Sequence, residues 1–306
     1  MSFSIYHLVS QTILHCGTGQ SVGVIDQPIA RDRASYLPIV PGSTMRGVIK
    51  AALQQSGSDN KTVIEPLFGK ERPDGEDTFA GALSISDAHL LLLPVRSVYG
   101  ILAYATCPFI LQRYQQDIKP DTEFDLAEFG QSEALCPEDS VNVKDGRIVL
   151  EDLDLNVSTA SGVQDCVQRW ANHLSEIVYP DDSHDTKGRE AMRRRIVILP
   201  DTVFSYLAET ATEIRTRIRI DPETGVVKKG ALWTEESLPA ESMLWGIATL
   251  EQTRKVPDNT DVTLLHKTLV KGVGIASPLQ IGGHVGTGKG LVCVKFSTEG
   301  GTDENA

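Results

Sequence analysis

The chain has 306 residues, 41% of them hydrophobic, enough to bury one large core or two modest ones. Its longest apolar run, residues 90–95, stops at Arg96, far short of the ~20 residues a membrane helix needs, and residues 1–17 carry no basic stretch ahead of a hydrophobic one; this predicts no membrane span, no secretory signal and a cytoplasmic protein. The net charge of −12 excludes a protein coated in base, yet base gathers locally in KGREAMRRR (187–195) and RTRIR (215–219), while acid gathers in EDLDL (151–155), DDSHD (181–185) and the tail, so local surfaces for nucleic acid stay open.

Residues 4–14, IYHLVSQTILH, mix β-branched and polar residues in rough alternation and predict an opening strand. Residues 16–41 hold three Gly and three Pro with no helical stripe, which predicts an extended and partly mobile loop. A helix over 44–55 follows, with Ser43 as its cap and Met45, Val48, Ile49 and Leu53 as its apolar stripe. Residues 82–93 predict a buried strand, and a helix starts after Pro108. From about 115 to 190 the chain is acidic and heterogeneous and reads as an insertion with one amphipathic helix at 163–178. Asp221-Pro-Glu-Thr-Gly225 lies between β-rich arms and predicts a hairpin. Residues 241–250 predict a strand, 264–276 a helix and 291–296 the last strand, before a disordered tail. Strands and helices alternate without a repeated βα rhythm, so the expected class is an α+β sheet with inserted lobes. The cysteines, Cys16, Cys107, Cys136, Cys166 and Cys293, form no C-x-x-C pair; they read as reduced thiols, with Cys107 and Cys293 as small core residues.

Residues 283–289, G-H-V-G-T-G-K, reproduce the spacing of a P-loop, but Gly290 stands where a Ser or Thr would hold Mg²⁺. A P-loop also needs a strand before it and a helix after it. Here a helix precedes and the strand pattern LVCVKF follows, which counts against an NTPase. What remains is backbone chemistry. Five glycines within 282–290 offer amide N–H groups to an anionic chain, with Lys289 as a point charge; the alternative is a tight turn that needs left-handed conformations.

A resemblance bears on that choice. The segments HCGTGQSVGVIDQPIARD, LPIVPGSTMRGVIKAAL, GALSISDAHLLLLPVRSVYGILAYATCPF, ILPDTVF, GALWTEESLP and LQIGGHVGTGKGLV run from the first strand to the last. Together they are similar to the RAMP superfamily of CRISPR RNA-binding proteins, and specifically to the repeating backbone subunit of the type III-B (Cmr) RNA-targeting complex. The resemblance implies a single domain over 1–296 with a modified ferredoxin-like (RRM-like) palm formed by 1–114 and 191–296. It also implies a fingers lobe inserted at about 115–190, a β-hairpin thumb at about 213–240 and a disordered tail, 297–306. The implied partners are a CRISPR guide RNA, a single-stranded target RNA, copies of the same chain in a helical filament and the other subunits of the complex.

The site residues follow from the same resemblance. Ser43, Arg46 and Lys50 of the first helix, Arg96, and Gly282, Gly283, Gly286, Gly288, Lys289 and Gly290 of the glycine loop are expected to hold the guide. Arg215, Arg217 and Arg219 would hold phosphates at the thumb, with Ile220 and Val226 as a wedge between bases. Asp26, in GVIDQP, matches the acidic loop residue of the cleaving members. It would align attack by the RNA 2′-OH or bind a divalent metal, Mg²⁺ or Mn²⁺. His15, Glu235 and Glu236 are secondary catalytic candidates, and Asp32, between Arg31 and Arg33, reads as a salt-bridge residue. A subunit that binds RNA without cutting, and the equivalent type III-A subunit, stay open as alternatives.

Overall fold

A computed structural model describes residues 2–19, 24–70, 78–119, 130–159, 162–180, 185–251 and 261–298. In chain order its main elements are β1 (Ser2–Ser10), α1 (Gly42–Gln55), β2 (Ala88–Ser97), β3 (Ile101–Thr106), α2 (Pro108–Ile118), α3 (Val163–Val178), β4 (Ile196–Ile198), α4 (Asp201–Thr210), β5 (Glu213–Ile220), β6 (Val227–Ser237), β7 (Met243–Leu250), α5 (Val262–Ala276) and β8 (Leu291–Thr298). Thirteen of the described strands join one mostly antiparallel sheet, and β5 and β6 pair separately as a two-stranded hairpin, so the class is α+β.

At the centre of the sheet, β1 buries Ile5, Tyr6, His7 and Leu8 in succession, as a strand does when both its faces are covered. It runs antiparallel between β7 and β8, with Tyr6 opposite Gly246 on one side and Phe296 on the other. On one face Ser4 Oγ lies 2.6 Å from His266 of α5, which packs on α1. On the other face His7 Nε2 meets Tyr114 Oη of α2 at 2.8 Å, and Tyr114 Oη meets His173 of α3 at 3.2 Å. The chain's first strand is thus sandwiched between its last strand and its helices, which fixes the exit of residues 11–17.

That exit differs from expectation. The strand ends at Ser10 because its partners end there: β7 begins opposite Val9 and β8 reaches Ser10 only through Val292. The strand expected over 82–93 is interrupted at Ser86 and Asp87. Both residues serve other elements: the Ser86 carbonyl accepts from Tyr6 Oη at 2.7 Å, and Asp87 Oδ1 accepts from the Gly42 amide at 2.7 Å. Asp87 therefore satisfies the leading amide of α1, and Ser43 makes no capping hydrogen bond. The amphipathic helix at 163–178 is α3, with Trp170 wholly buried. The segment around it is packed into the main core, with Leu135 bridged to Ile198 and Leu150 paired to Ser97. None of the five cysteines forms a disulfide, and Cys293 is only half-buried, accepting from Gln11 Nε2 at 3.0 Å, rather than the core residue expected. β8 continues to Thr298, two residues into the segment expected to be disordered, and 299–306 lie outside the described residues.

Candidate functional site

Past Ser10, residues 13–16 are clamped from two sides by backbone. Leu14 and Leu238 exchange hydrogen bonds of 3.0 and 2.8 Å at the base of the hairpin. From the other side the Gly283 amide donates to the His15 carbonyl and the Gly290 amide to the Ile13 carbonyl, both at 2.9 Å. Gly282 and Gly290 make this approach possible. Both sit at left-handed φ, and a Cβ would meet the His15 carbonyl oxygen at 2.2 Å and the Ile281 carbonyl oxygen at 2.0 Å. The amides of Gly283, Gly288 and Gly290 are all spent within the protein, so the glycine loop is first a structural clasp; the expectation that its amides stand open is corrected for these three.

Beneath the clasp lies a set of buried charges. Lys289 is 1% exposed and its Nζ lies 2.7 Å from Glu235 Oε2 and 3.2 Å from Ser237 Oγ. It is therefore not a point charge for RNA, because β6 brings a buried carboxylate to it. Glu235 also accepts from Trp233 Nε1 at 2.9 Å and pairs with Arg217 at 3.3 Å. Burial alone would raise the Glu235 carboxyl, but Lys289, Trp233 and His284 bring it down to about 2. Glu236 is tied to Arg31 at 2.6 Å, to Thr212 Oγ1 at 3.1 Å and to the Ile29 amide at 3.1 Å. With carboxylates buried and saturated, Glu236 holds the neighbouring loop and Glu235 holds Lys289 of the clasp, so both belong to the frame rather than facing a substrate.

That loop is the segment expected to be mobile. Its described part is pinned: the Gln27 amide donates to the Thr234 carbonyl and the Glu236 amide to the Gln27 carbonyl, both at 3.0 Å, so residues 26–28 lie along β6 like a short third strand. Residues 20–23 are outside the described residues. Asp26 is exposed; its Oδ2 accepts from the Thr234 amide at 2.8 Å and from Thr234 Oγ1 at 3.1 Å, and no partner to Oδ1 appears among the described residues. Asp32 makes no salt bridge among the described residues; its Oδ1 accepts from the amides of Ala34 and Ser35 and from Ser35 Oγ, and those Ser35 bonds hold its carboxyl below the usual range.

A cleft of about 590 Å³ opens between these parts, lined by His15, Gly17, Asp26, Thr44 of α1, Gly283 and His284 among others. His15 is 6% exposed, and its Nδ1 lies 2.6 Å from the Glu236 carbonyl oxygen. A carbonyl only accepts, so Nδ1 carries the hydrogen and a neutral ring leaves its lone pair on Nε2. A Cβ on Gly17 would meet Nε2 at 2.8 Å, so glycine keeps that nitrogen uncovered. His284 lies 4.8 Å from the His15 ring and its Nε2 pairs with Gln27 Oε1 at 3.2 Å. Burial lowers the His284 pKa, against the pull of Glu235. Sequence reasoning passed over His284, although a histidine inside a glycine run was the visible signal.

The remaining expected residues spread more widely. The leading end of α1 reaches the cleft through Thr44, but Arg46 turns its guanidinium to the Phe68 carbonyl at 2.8 Å and lies over that ring. Lys50 is half-buried farther along the helix, and Gly286 sits in the 3-10 turn of the clasp. Arg96 stands at the β2–β3 turn beside Glu151, away from the cleft. On the hairpin, Arg215 pairs with Glu213 at 2.6 Å, Arg217 with Glu235, and Arg219 is exposed.

Comparison with known proteins matches residues 7–293 to the RAMP superfamily. The Cmr endoribonuclease Cmr4 of the CRISPR system of Pyrococcus furiosus is 32% identical over 96% of this chain and 97% of its own. The CMR subunit Cmr4 of Saccharolobus solfataricus is 22% identical over 95% of each. A crystal structure of oligomeric Cmr4 from Pyrococcus furiosus superposes with a TM-score of 0.71 at 24% identity, covering 98% of this chain and all of that one. The glycine clasp that closes onto the final strand, and the relative matched from end to end, lead to one conclusion: the chain belongs to the RAMP superfamily, in its Cmr4 branch.

Proposed function

We propose that this chain is a backbone subunit of a type III-B CRISPR complex that binds guide RNA, assembles with copies of itself and with other subunits, and cleaves complementary target RNA at regular intervals. One observation carries the reading: an exposed carboxylate, Asp26, is fixed by Thr234 at the edge of a cleft that also gathers the leading end of α1, the glycine clasp and His15. A strand of RNA lying along α1 and the clasp would pass directly beneath it. In this reading 1–114 and 191–296 form a ferredoxin-like palm, about 115–190 the fingers, and the hairpin of β5 and β6 a thumb whose Ile220 and Val226 enter the base stack, at a cost of a few kcal/mol per nucleotide turned out.

RNA supplies its own nucleophile, so the protein has to align the 2′-oxygen with the phosphorus and manage protons. Asp26 Oδ1 orients the 2′-hydroxyl. His15 Nε2 takes its proton as the 2′-oxygen bonds to phosphorus and the bond to the 5′-oxygen breaks, with the 5′-oxygen protonated by water. Among the described residues no three His, Cys, Asp or Glu gather to cage an ion. A lone exposed carboxylate instead fits a hydrated Mg²⁺ or Mn²⁺ shared with an RNA phosphate, which would supply charge neutralisation when bound. Of the bases expected to meet RNA, exposed Arg219 and half-buried Lys50 are the two without a protein partner among the described residues, and in this reading they hold backbone phosphates.

The test is the complex reconstituted with a guide, given complementary RNA. Asp26→Asn keeps an acceptor for Thr234 and should abolish the regularly spaced products while guide binding persists. Uniform cutting by the variant at the normal rate would remove Asp26 from the mechanism, and absence of any products from the unmodified complex would favour a subunit that binds without cutting.

A further inference from the structure

Two features at opposite ends of β3 complement each other. At its leading end the turn from β2 exposes Val98, Tyr99 and Ile101, by 58, 42 and 82%. Ile101 sits at φ +70°, a left-handed backbone that β-branched residues rarely adopt, and this projects its side chain into water. The turn is held firmly. The Val98 amide donates to the Val149 carbonyl at 3.1 Å, Lys144 Nζ lies 5.8 Å over the Tyr99 ring, and Gly100 fits against Asn142 so closely that a Cβ would meet Oδ1 at 1.9 Å. An apolar tip on a rigid base is a knob, and Val98 and Ile101 stay exposed among the described residues.

At the trailing end of β3 the chain enters α2 through Cys107, and the parallel neighbour β4 enters α4 beside it. Between the two helix starts opens a hollow of about 450 Å³, walled by Leu37, Cys107, Phe109 and Phe204 with the carboxylates of Asp32 and Asp201. Arg113 also borders it, with its guanidinium turned to His89 at 3.1 Å. The knob, in contrast, is flanked by base: the Arg96 side chain is 73% exposed, with Glu151 3.7 Å away, and Lys144 is exposed. Apolar tip faces apolar hollow, and basic flank faces acidic wall.

We propose that the 98–101 turn of one copy seats in the hollow beside Cys107 and Phe204 of the next copy, joining copies head to tail. Six residues of β3 at ~3.3 Å each set knob and hollow about 20 Å apart on one axis. A contact between two different patches leaves each added copy with a free patch, and with knob and hollow on one axis the copies stack rather than close into a ring. The strained Ile101 then has a reason: its side chain is presented for burial in a neighbour. This inference rests on the self-assembly part of the proposed function and specifies the surface that carries it.

The experiment uses the full chain with a single-stranded RNA long enough for several copies. Ile101→Cys combined with Ser205→Cys in a Cys107→Ser background, mildly oxidised, should give a ladder of covalent multimers on a non-reducing gel, and either cysteine substitution alone in that background should not. Ile101→Asp should weaken RNA-driven association at least about tenfold while the affinity of a single copy for a short RNA stays unchanged. If the unmodified chain assembles on RNA by mass photometry but the double-cysteine variant gives no ladder, the surface is wrong and the assembly reading survives. If the unmodified chain never assembles, both fall. If Ile101→Asp loses short-RNA binding and keeps self-association, the turn serves RNA and the proposal is overturned.

Discussion

The cleft floor and the outer hairpin share β6 but follow opposite rules. On the floor, Glu235, Glu236 and Lys289 are 3, 2 and 1% exposed and fully paired. Farther along, Ile218 faces Leu232 and Ile220 faces Val227, and these four are 49, 65, 49 and 46% exposed. Stability alone would exchange the two sets, because buried charge costs desolvation and exposed apolar surface gains nothing. The inversion separates two tasks. The floor fixes the position of the Asp26 loop, and the hairpin keeps an apolar row for a partner that arrives later.

The largest test of that contrast removes one charge from the floor. Lys289→Met leaves Glu235 buried with Trp233 Nε1, the half-exposed Arg217 and the more distant His284 as its remaining partners among the described residues, and should cost about 3–5 kcal/mol in urea unfolding. Adding Glu235→Gln should restore most of the loss, since the cost lies in the stranded carboxylate rather than in the missing lysine. A neutral Lys289→Met would mean the floor is not a frame. The sheet interior behind it excludes charge in the same way: burial lowers His7 to about 3 and His173 to about 4. Above pH ~6.5 both are neutral folded or unfolded and nothing is lost. As the pH falls below that value the unfolded chain takes up protons the native one refuses, so stability falls until the folded pKa values are reached. Near pH 5 the loss should be about 2 kcal/mol for each histidine, read from urea midpoints at pH 7.5 and 5, and His173→Gln should remove its share.

What was legible in the sequence is what neighbours in sequence decide. The apolar spacing of 163–178 gives α3 with its observed ends, and Asp221-Pro-Glu-Thr-Gly225 between β-formers gives the hairpin, because period and turn chemistry act within a few residues. The same local logic selected Ser43 as a cap, and it failed because the acceptor that meets the Gly42 amide, Asp87, is 45 positions away. Lys289 looked like a free cation for a similar reason: nothing in GTGKG announces that Glu235, 54 positions earlier, will lie 2.7 Å from it. The loop over 16–41 looked mobile because the bonds that pin it join positions far apart in sequence: Gln27 to Thr234 of β6, and Ala30 back to Cys16. Asp26 was legible only through resemblance, while its support by Thr234 and the tautomer imposed on His15 by the Glu236 carbonyl are properties of the fold.

The smallest expected effect on stability tests the other side of the comparison. Ile218→Thr and Leu232→Thr exchange apolar groups for polar ones along a row left exposed among the described residues, so unfolding should move by no more than about 0.5 kcal/mol. If the row instead meets RNA bases, the assembled complex should turn out fewer target nucleotides. A 2-aminopurine placed at the displaced position would then lose much of its fluorescence gain, although the protein is as stable as before. A drop of ~2 kcal/mol in stability would show that the row is already covered within the chain, and the contrast between floor and hairpin would no longer separate a frame from a partner-facing surface.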